Sequence, residues 1–163
     1  MTRPAEHPIQ LFRFHVDFMR GDSVPLCGGA FSECTGLEAT MEPKVIREGG
    51  GNYGAVQRAG PVTFATVVLR RGVTRTRDLW RWWELVTTRG QFAHRLDATV
   101  NVYDAAGEAV LAWRLEQAMP VKFRAADLNA RGTEVGIEEL HLVHEGLTLV
   151  EPTRPSLAAG GAA

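Results

Sequence analysis

Few residues in this chain have the type and spacing for chemistry. His141 and His144 form an HxxH pair. On a helix such a pair shares one face; on a strand, positions i and i+3 point to opposite faces and cannot hold one ion. The segment around them reads as strand, so no metal site is expected there. Glu138-Glu139, Glu33 and Glu38 supply carboxylates, but nothing around them sets two pKa values apart as an acid/base pair requires. Ser23 and Ser32 lie outside any GxSxG turn. Cys34 would need a distant histidine to become a nucleophile. Gly49-Gly50-Gly51 lacks both the lysine of a phosphate loop and the GxGxxG spacing of a dinucleotide turn. The expectation is a protein that is not an enzyme, with no metal and no organic cofactor. The glycine tract reads instead as an exposed, conformationally permissive loop. With Arg47, Glu48, Asn52 and Arg58 around it, this loop can reach outside its own subunit.

Phe12, Phe14, Val16 and Phe18 alternate with Arg13, His15 and Asp17, the period of a half-buried strand. Asp22-Ser-Val-Pro25 reads as a turn. Further strands are expected over 27–38 and 41–48, and the loop over 49–60 leads to a strand at 62–70 that is apolar or small on both faces. One helix, about residues 76–89, stands out. Thr76 is its expected N-cap, Asp78 sits in the first turn and Gly90 closes it. Leu79, Trp82, Trp83 and Val86 form an apolar stripe at i, i+3, i+4 and i+7 and are expected in the core. Trp80 lies off the stripe and is the candidate partner contact. Strands resume over 96–103 and 109–116, joined by the hairpin Ala105-Ala-Gly-Glu108. Met119-Pro120 is expected to interrupt the return strand before a short edge strand over 121–128. Residues 133–149 read as one long strand or two in line. Their apolar phase is odd at Val135 and Ile137, then even at Leu140 and Leu142, so a bulge near Glu138-Glu139 is expected.

The chain has 163 residues, 45% hydrophobic and 23% charged, with a net charge of −1. That is enough for one domain with its own core, expected over residues 1–150, followed by a flexible C-terminal tail at 151–163. Residues 1–10 hold no apolar run and no stretch approaches a membrane span, so cytosolic synthesis is the expectation. Cys27 and Cys34 are then expected as buried thiols rather than a disulfide. Charge is uneven: 3 basic against 5 acidic groups over 1–39, 10 against 4 over 40–95, and 5 against 10 over 96–163. Intermixed on folding, these mean little; left apart, they make a polarised subunit whose basic surface meets an acidic surface of the next copy. Of the 18 basic residues 16 are arginine, which pairs with carboxylates in bidentate fashion. The fold class is mainly β, a barrel-like two-sheet sandwich with one amphipathic helix.

Five phrases occur in order: Phe31-Ser-Glu-Cys-Thr-Gly-Leu-Glu38, Ile46-Arg-Glu-Gly-Gly-Gly-Asn52, Leu69-Arg-Arg-Gly72, Ala118-Met-Pro-Val-Lys122 and Val135-Gly-Ile-Glu-Glu-Leu-His-Leu-Val-His-Glu-Gly-Leu147. Together they closely resemble the tail-tube (inner tube) proteins of contractile phage tails and contractile injection systems, over roughly residues 11–149. Met119 departs from the pattern, where relatives often carry tryptophan before the proline. The resemblance implies a structural subunit of stacked six-fold rings, with strands of neighbouring copies joined around a lumen that carries DNA or protein cargo. Implied partners are other copies of the chain, a sheath protein, and baseplate and tube-initiator proteins. The loop Arg47, Glu48, Gly49, Gly50, Gly51, Asn52 is implied to contact the neighbouring ring. Assembly is expected in the cytoplasm, followed by life in a tail or injection particle that can be released. The alternatives are a tube-capping or adaptor ring of the same apparatus, or a small-ligand β-barrel protein.

Overall fold

The computed structural model describes residues 13–20, 23–47, 49–51, 53–88 and 94–152, with backbone alone at 20 and 23–29. Twelve strands and one helix are present among the described residues: β1 (Arg13–Arg20), β2 (Ser23–Gly29), β3 (Glu33–Thr35), β4 (Ala39–Met41), β5 (Lys44–Ile46), β6 (Val56–Arg58), β7 (Val62–Phe64), β8 (Val67–Gly72), α1 (Asp78–Thr87), β9 (Leu96–Tyr103), β10 (Ala109–Arg124), β11 (Ile137–Val143) and β12 (Gly146–Val150). Eight form one ladder in the order β2-β1-β9-β10-β11-β8-β3, with β12 also on β10. Two short ribbons, β4-β7 and β5-β6, stand apart from it. The fold is mainly β, and one face of its single helix packs against the main ladder.

The long strand β10 organises the ladder. After a first register shift between Ala109 and Leu111 it pairs in register with β9 from Leu111 to Leu115, with Leu115 opposite Ala98, and with β12 on its other side. At Gln117 the backbone takes a positive φ of 52°, and the register slips between Leu115 and Ala118. This is a bulge, which bends a strand and increases its twist. Asp97 fixes it by accepting from the Gln117 backbone N–H at 3.0 Å. Beyond the bend β10 pairs with β11 from Met119↔Val143 to Arg124↔Glu139. Met119-Pro120 therefore does not interrupt the strand, and no separate strand runs over 121–128. Pro120 lies past the last residue paired with β9, Ala118, and next to a register shift, where a missing N–H donor is tolerated.

The core lies between this bent sheet and α1. Val16 and Phe18 of β1, Val67 and Leu69 of β8, Ala98 and Val100 of β9, and Leu140 and Leu142 of β11 are all buried, together with Leu79, Trp82 and Val86 of α1. The Phe18 ring lies 5.1 Å from Trp82 and 6.3 Å from Phe31. The β9–β10 hairpin closes through Asp104, whose side chain accepts from the Glu108 N–H at 2.9 Å, with Gly107 at a φ of 86° that favours glycine.

Elsewhere the strands are more broken than periodicity suggests. The expected strand over 27–38 is β2 and β3, split at 30–32, and β2 begins at Ser23, inside the expected turn. The one expected over 41–48 is β4 and β5, split at Glu42-Pro43. The run over 62–70 splits into β7 and β8 because the chain leaves a ribbon and enters the main sheet at Ala65-Thr66. Gly36 marks this crossing: a Cβ there would stand 2.1 Å from the Thr66 carbonyl oxygen, and its φ is 86°. Residues 133–149 hold two strands in line, β11 and β12, and β11 pairs with β8 without a break from Ile137↔Gly72 to Leu142↔Val67. There is no bulge at Glu138-Glu139. Val135 precedes the strand and Ile137 faces outward, while the inward row is Glu138, Leu140 and Leu142; the apolar phase shifts because a charged residue occupies an inward position. The helix starts at Asp78 after Arg77, with no side-chain cap; the Thr76 hydroxyl pairs with that of Thr74 at 2.8 Å. Gly90, Phe12 and the tail from 153 onward lie outside the described residues.

Candidate assembly surface

The expected inter-ring loop is the end of a two-part arm. After β3 the chain runs out through β4 and β5 and returns through β6 and β7, with Met41 opposite Val62 and Lys44 opposite Arg58. The two ribbons meet at Glu42-Pro43 and Gly60. A Cβ at Gly60 would come within 1.8 Å of the Glu42 carbonyl oxygen, so only glycine lets the two chains approach this closely. Every described residue from 38 to 59 is exposed, Arg47, Gly49, Gly50 and Gly51 among them. Gly50 and Gly54 take positive φ of 96° and 59°. Glu48 and Asn52 lie outside the described residues. The arm also exposes apolar side chains: Met41, Val45, Val56, Val62 and, fully, Tyr53. A two-stranded ribbon is marginal alone in water, so this arm has a surface that asks for a partner.

On α1, Leu79, Trp82 and Val86 are buried, Trp83 is half-buried, and Trp80 is 47% exposed. Trp83 thus sits at the margin of the stripe rather than within the core. Trp80 packs edge-on against Phe123 of β10 at 5.4 Å. The Trp82 indole N–H donates to the His94 carbonyl at 3.2 Å.

Two ion networks occupy opposite faces of the β8–β11 pair, and neither is visible in the motifs. On the inner face Arg71, 4% exposed, donates through Nε to Glu138 at 2.6 Å and through Nη2 to Asp78 at 2.5 Å, and its guanidinium lies 5.6 Å from the centre of the Phe31 ring. It joins the first turn of α1 to β11. Burial works against the Asp78 carboxylate, but the hydrogen bond and charge of Arg71 outweigh it and hold Asp78 below the usual carboxylate range. Arg71 is likewise opposed by burial, yet ends above its ordinary value through Asp78 and Glu138. On the outer face Arg70 bridges Glu33 and Glu139, each at 2.9 Å, and Glu139 also pairs with His141. The His141 and Arg70 hydrogen bonds draw the Glu139 carboxyl below its ordinary range. Cross-strand neighbours place these groups: Arg71 stands opposite Glu138, and Arg70 opposite Glu139.

These contacts account for most of the residues first weighed for chemistry. His141 serves the outer network, whereas the His144 ring lies tilted against Phe64 at 5.1 Å and meets the Gly146 carbonyl at 2.9 Å. Among the described residues no three His, Cys, Asp or Glu side chains converge as a metal site would need. Ser32 donates its hydroxyl to the Arg70 carbonyl at 3.0 Å. Burial pushes the Cys34 thiol up to about 11, which suppresses the thiolate a nucleophile requires. No helix is long and apolar enough to cross a membrane among the described residues.

At the far end of β8 from the arm, residues 125–136 arch between β10 and β11 over an open recess of about 1080 Å³. Leu128, Val135, Ile137 and Val73 expose apolar surface there.

Comparison with known proteins meets this geometry. The family model for T4-like virus tail tube protein gp19 matches residues 10–148. Comparison with curated protein sequences gives no match. Among solved structures, a chain of the anti-feeding prophage baseplate, six-fold symmetrised, is 27% identical, with a TM-score of 0.72 over 92% of this chain and 97% of that one. A chain of the extended PVC sheath–tube complex, an extracellular contractile injection system, is 21% identical with a TM-score of 0.74, covering 90% and 93%. A chain of the anti-feeding prophage tube-terminating cap is 19% identical with a TM-score of 0.76, covering 92% and 95%. These last two likenesses speak to the fold. An exposed arm, ladder ends at β2 and β3 that are open among the described residues, and a family match spanning nearly the whole ladder agree with one another: the chain belongs to the T4-like virus tail tube protein family and is a structural tube protein.

Proposed function

We propose that this chain builds the inner tube of a contractile tail or injection system as stacked six-fold rings, with the arm making the contact between rings. The observation behind this reading is the arm itself: the described residues over 38–59 lie off the core, exposed and partly apolar, on a chain whose family match spans 10–148. The ladder ends at β2 and β3, open among the described residues, support lateral joining, because unpaired strand edges are normally covered in native proteins. Heterologous contacts of this kind close into rings, and a second heterologous contact along the axis stacks them into a tube. The central lumen would carry DNA or protein, and the outer surface, including Trp80, would meet a sheath. Residues 1–150 act as one tube domain in this reading, with no catalytic role.

Replacing residues 49–53 by a tight Asn-Gly turn tests the role of the arm. The variant is expected to melt like the native subunit and to form rings that do not lengthen. Unfolding of the variant would make the arm part of the fold, and normal tubes would remove it from the stacking contact.

A second reading is an end ring that seats the tube on a baseplate. It is favoured by the 27% identity to the baseplate chain against 21% for the sheath–tube chain. Assembly that stops at one or two rings under conditions that saturate the native protein would select it.

A further inference from the structure

The arm and the recess lie at opposite ends of one strand. The arm leaves the sheet at Ala65-Thr66, just before β8, and the recess is roofed by residues joined to Gly72 and Ile137, where β8 ends and β11 begins. At about 3.3 Å per residue, β8 sets the roof of the recess roughly 20 Å from the arm's exit, while the floor reaches back along the strand to Arg70. No arm residue lines the recess, so a copy does not fill its own. A projection at one end and a recess at the other is the geometry of a head-to-tail contact that repeats without limit.

We propose that the recess of one copy receives the arm tip of a second copy in the adjacent ring. This rests on the tube reading and names the acceptor for its stacking contact. The apolar parts match in kind. Tyr53 is fully exposed and Val56 is 47% exposed on the tip, while Leu128 is 98% and Val135 75% exposed in the recess. The charges point the same way. Lys44 stands directly across from Arg58, and among the described residues neither has an acidic partner. Like charges opposite each other destabilise a ribbon, and an incoming carboxylate relieves them. In the recess Arg70 is held by Glu33 and Glu139, and Arg124 by Asp127. Glu134 is left without an ion pair among the described residues, on the same rim as Arg131, and it is the carboxylate that meets the Lys44–Arg58 pair.

The test uses two single-cysteine additions, Tyr53→Cys and Leu128→Cys, purified separately, mixed, assembled and oxidised. A disulfide-linked dimer on a non-reducing gel is expected from the mixture and not from either variant alone, which controls for Cys27 and Cys34. In parallel, Glu134→Lys is expected to leave rings that fail to stack, and adding Lys44→Glu with Arg58→Glu is expected to restore tubes. Normal tubes from Glu134→Lys, with no dimer from the cysteine mixture, overturn the acceptor assignment while ring stacking stands. Failure of the native protein to form rings or tubes overturns the tube reading and this inference with it.

Discussion

Removing the guanidinium of Arg71 tests whether the buried network locks α1 to the sheet. Arg71→Ala leaves Asp78 and Glu138, whose side chains are 19% and 13% exposed, facing each other without a counter-ion. Breaking one partner of a buried pair costs about 3–5 kcal/mol. Both carboxylates retain some water and can relax or take up a proton, so the lower end, about 3 kcal/mol, applies. For a chain of this length each kcal/mol lowers the melting temperature by about 2–4 °C, so thermal melting by circular dichroism should fall by roughly 6–12 °C. The neutral triple variant, Arg71→Met with Asp78→Asn and Glu138→Gln, should recover most of that loss, since it removes the unpaired charges too. The acid limb gives a second reading. The folded Asp78 is held below its ordinary value, so its contribution is present above the unfolded carboxylate range near pH 4 and fades as pH falls through the lower folded value. Arg71→Ala should therefore lose stability at pH 7 and show less further loss between about pH 4 and pH 2 than the native protein. Native-like melting of Arg71→Ala at pH 7, or no recovery in the triple variant, would show that Arg71 does not lock α1 to the sheet.

The helix phasing predicts that Trp82→Ala costs about 3–5 kcal/mol through the cavity it leaves, whereas Trp80→Ala costs about 1 kcal/mol through its edge contact with Phe123; equal shifts in denaturant midpoint would contradict it. Gly60→Ala places a methyl against the Glu42 carbonyl oxygen, so it should distort the arm and stop tube growth while leaving the melting temperature nearly unchanged; normal tubes would show that the close approach is dispensable. With its thiol pushed up to about 11, Cys34 in a Cys27→Ser background should react with a maleimide at pH 8 far more slowly than in the same protein unfolded in urea; equal rates would place the thiol in water.

Where the apolar pattern has one period and one burial side, the sequence is easy to read. The β9–β10 hairpin follows from alternation on both sides of a Gly107 turn, and the α1 stripe from Leu79, Trp82 and Val86 at helical spacing. The tail-tube phrases also fall on elements that position something: Arg70 and Arg71 come from one phrase, Glu138 and Glu139 from another. What periodicity cannot show is which way a charged residue faces. Glu138 points inward because Arg71 is there to meet it, and that pairing spans 67 residues of sequence. Read as polar, Glu138 should point out, which is why a bulge is expected where the register is in fact unbroken. The split between β7 and β8 is hidden for a related reason. Residues 62–70 stay apolar while the chain passes from a ribbon to the main sheet, and the only local sign of the crossing is Gly36, thirty residues earlier. The recess is not legible in the sequence because the segment over 125–136 has no sustained periodicity. Its only signal is exposed apolar residues, Leu128 and Val135, among turn formers.

Electron microscopy of the purified native protein over a wide concentration range is the sharpest test of tube assembly. Six-fold rings with a central hole are expected at moderate concentration and, at high concentration or with an assembly nucleus, hollow tubes of one constant diameter whose axial repeat is a single ring. Particles that remain monomers or closed dimers at every concentration, with no rings and no tubes alongside the sheath, would contradict it.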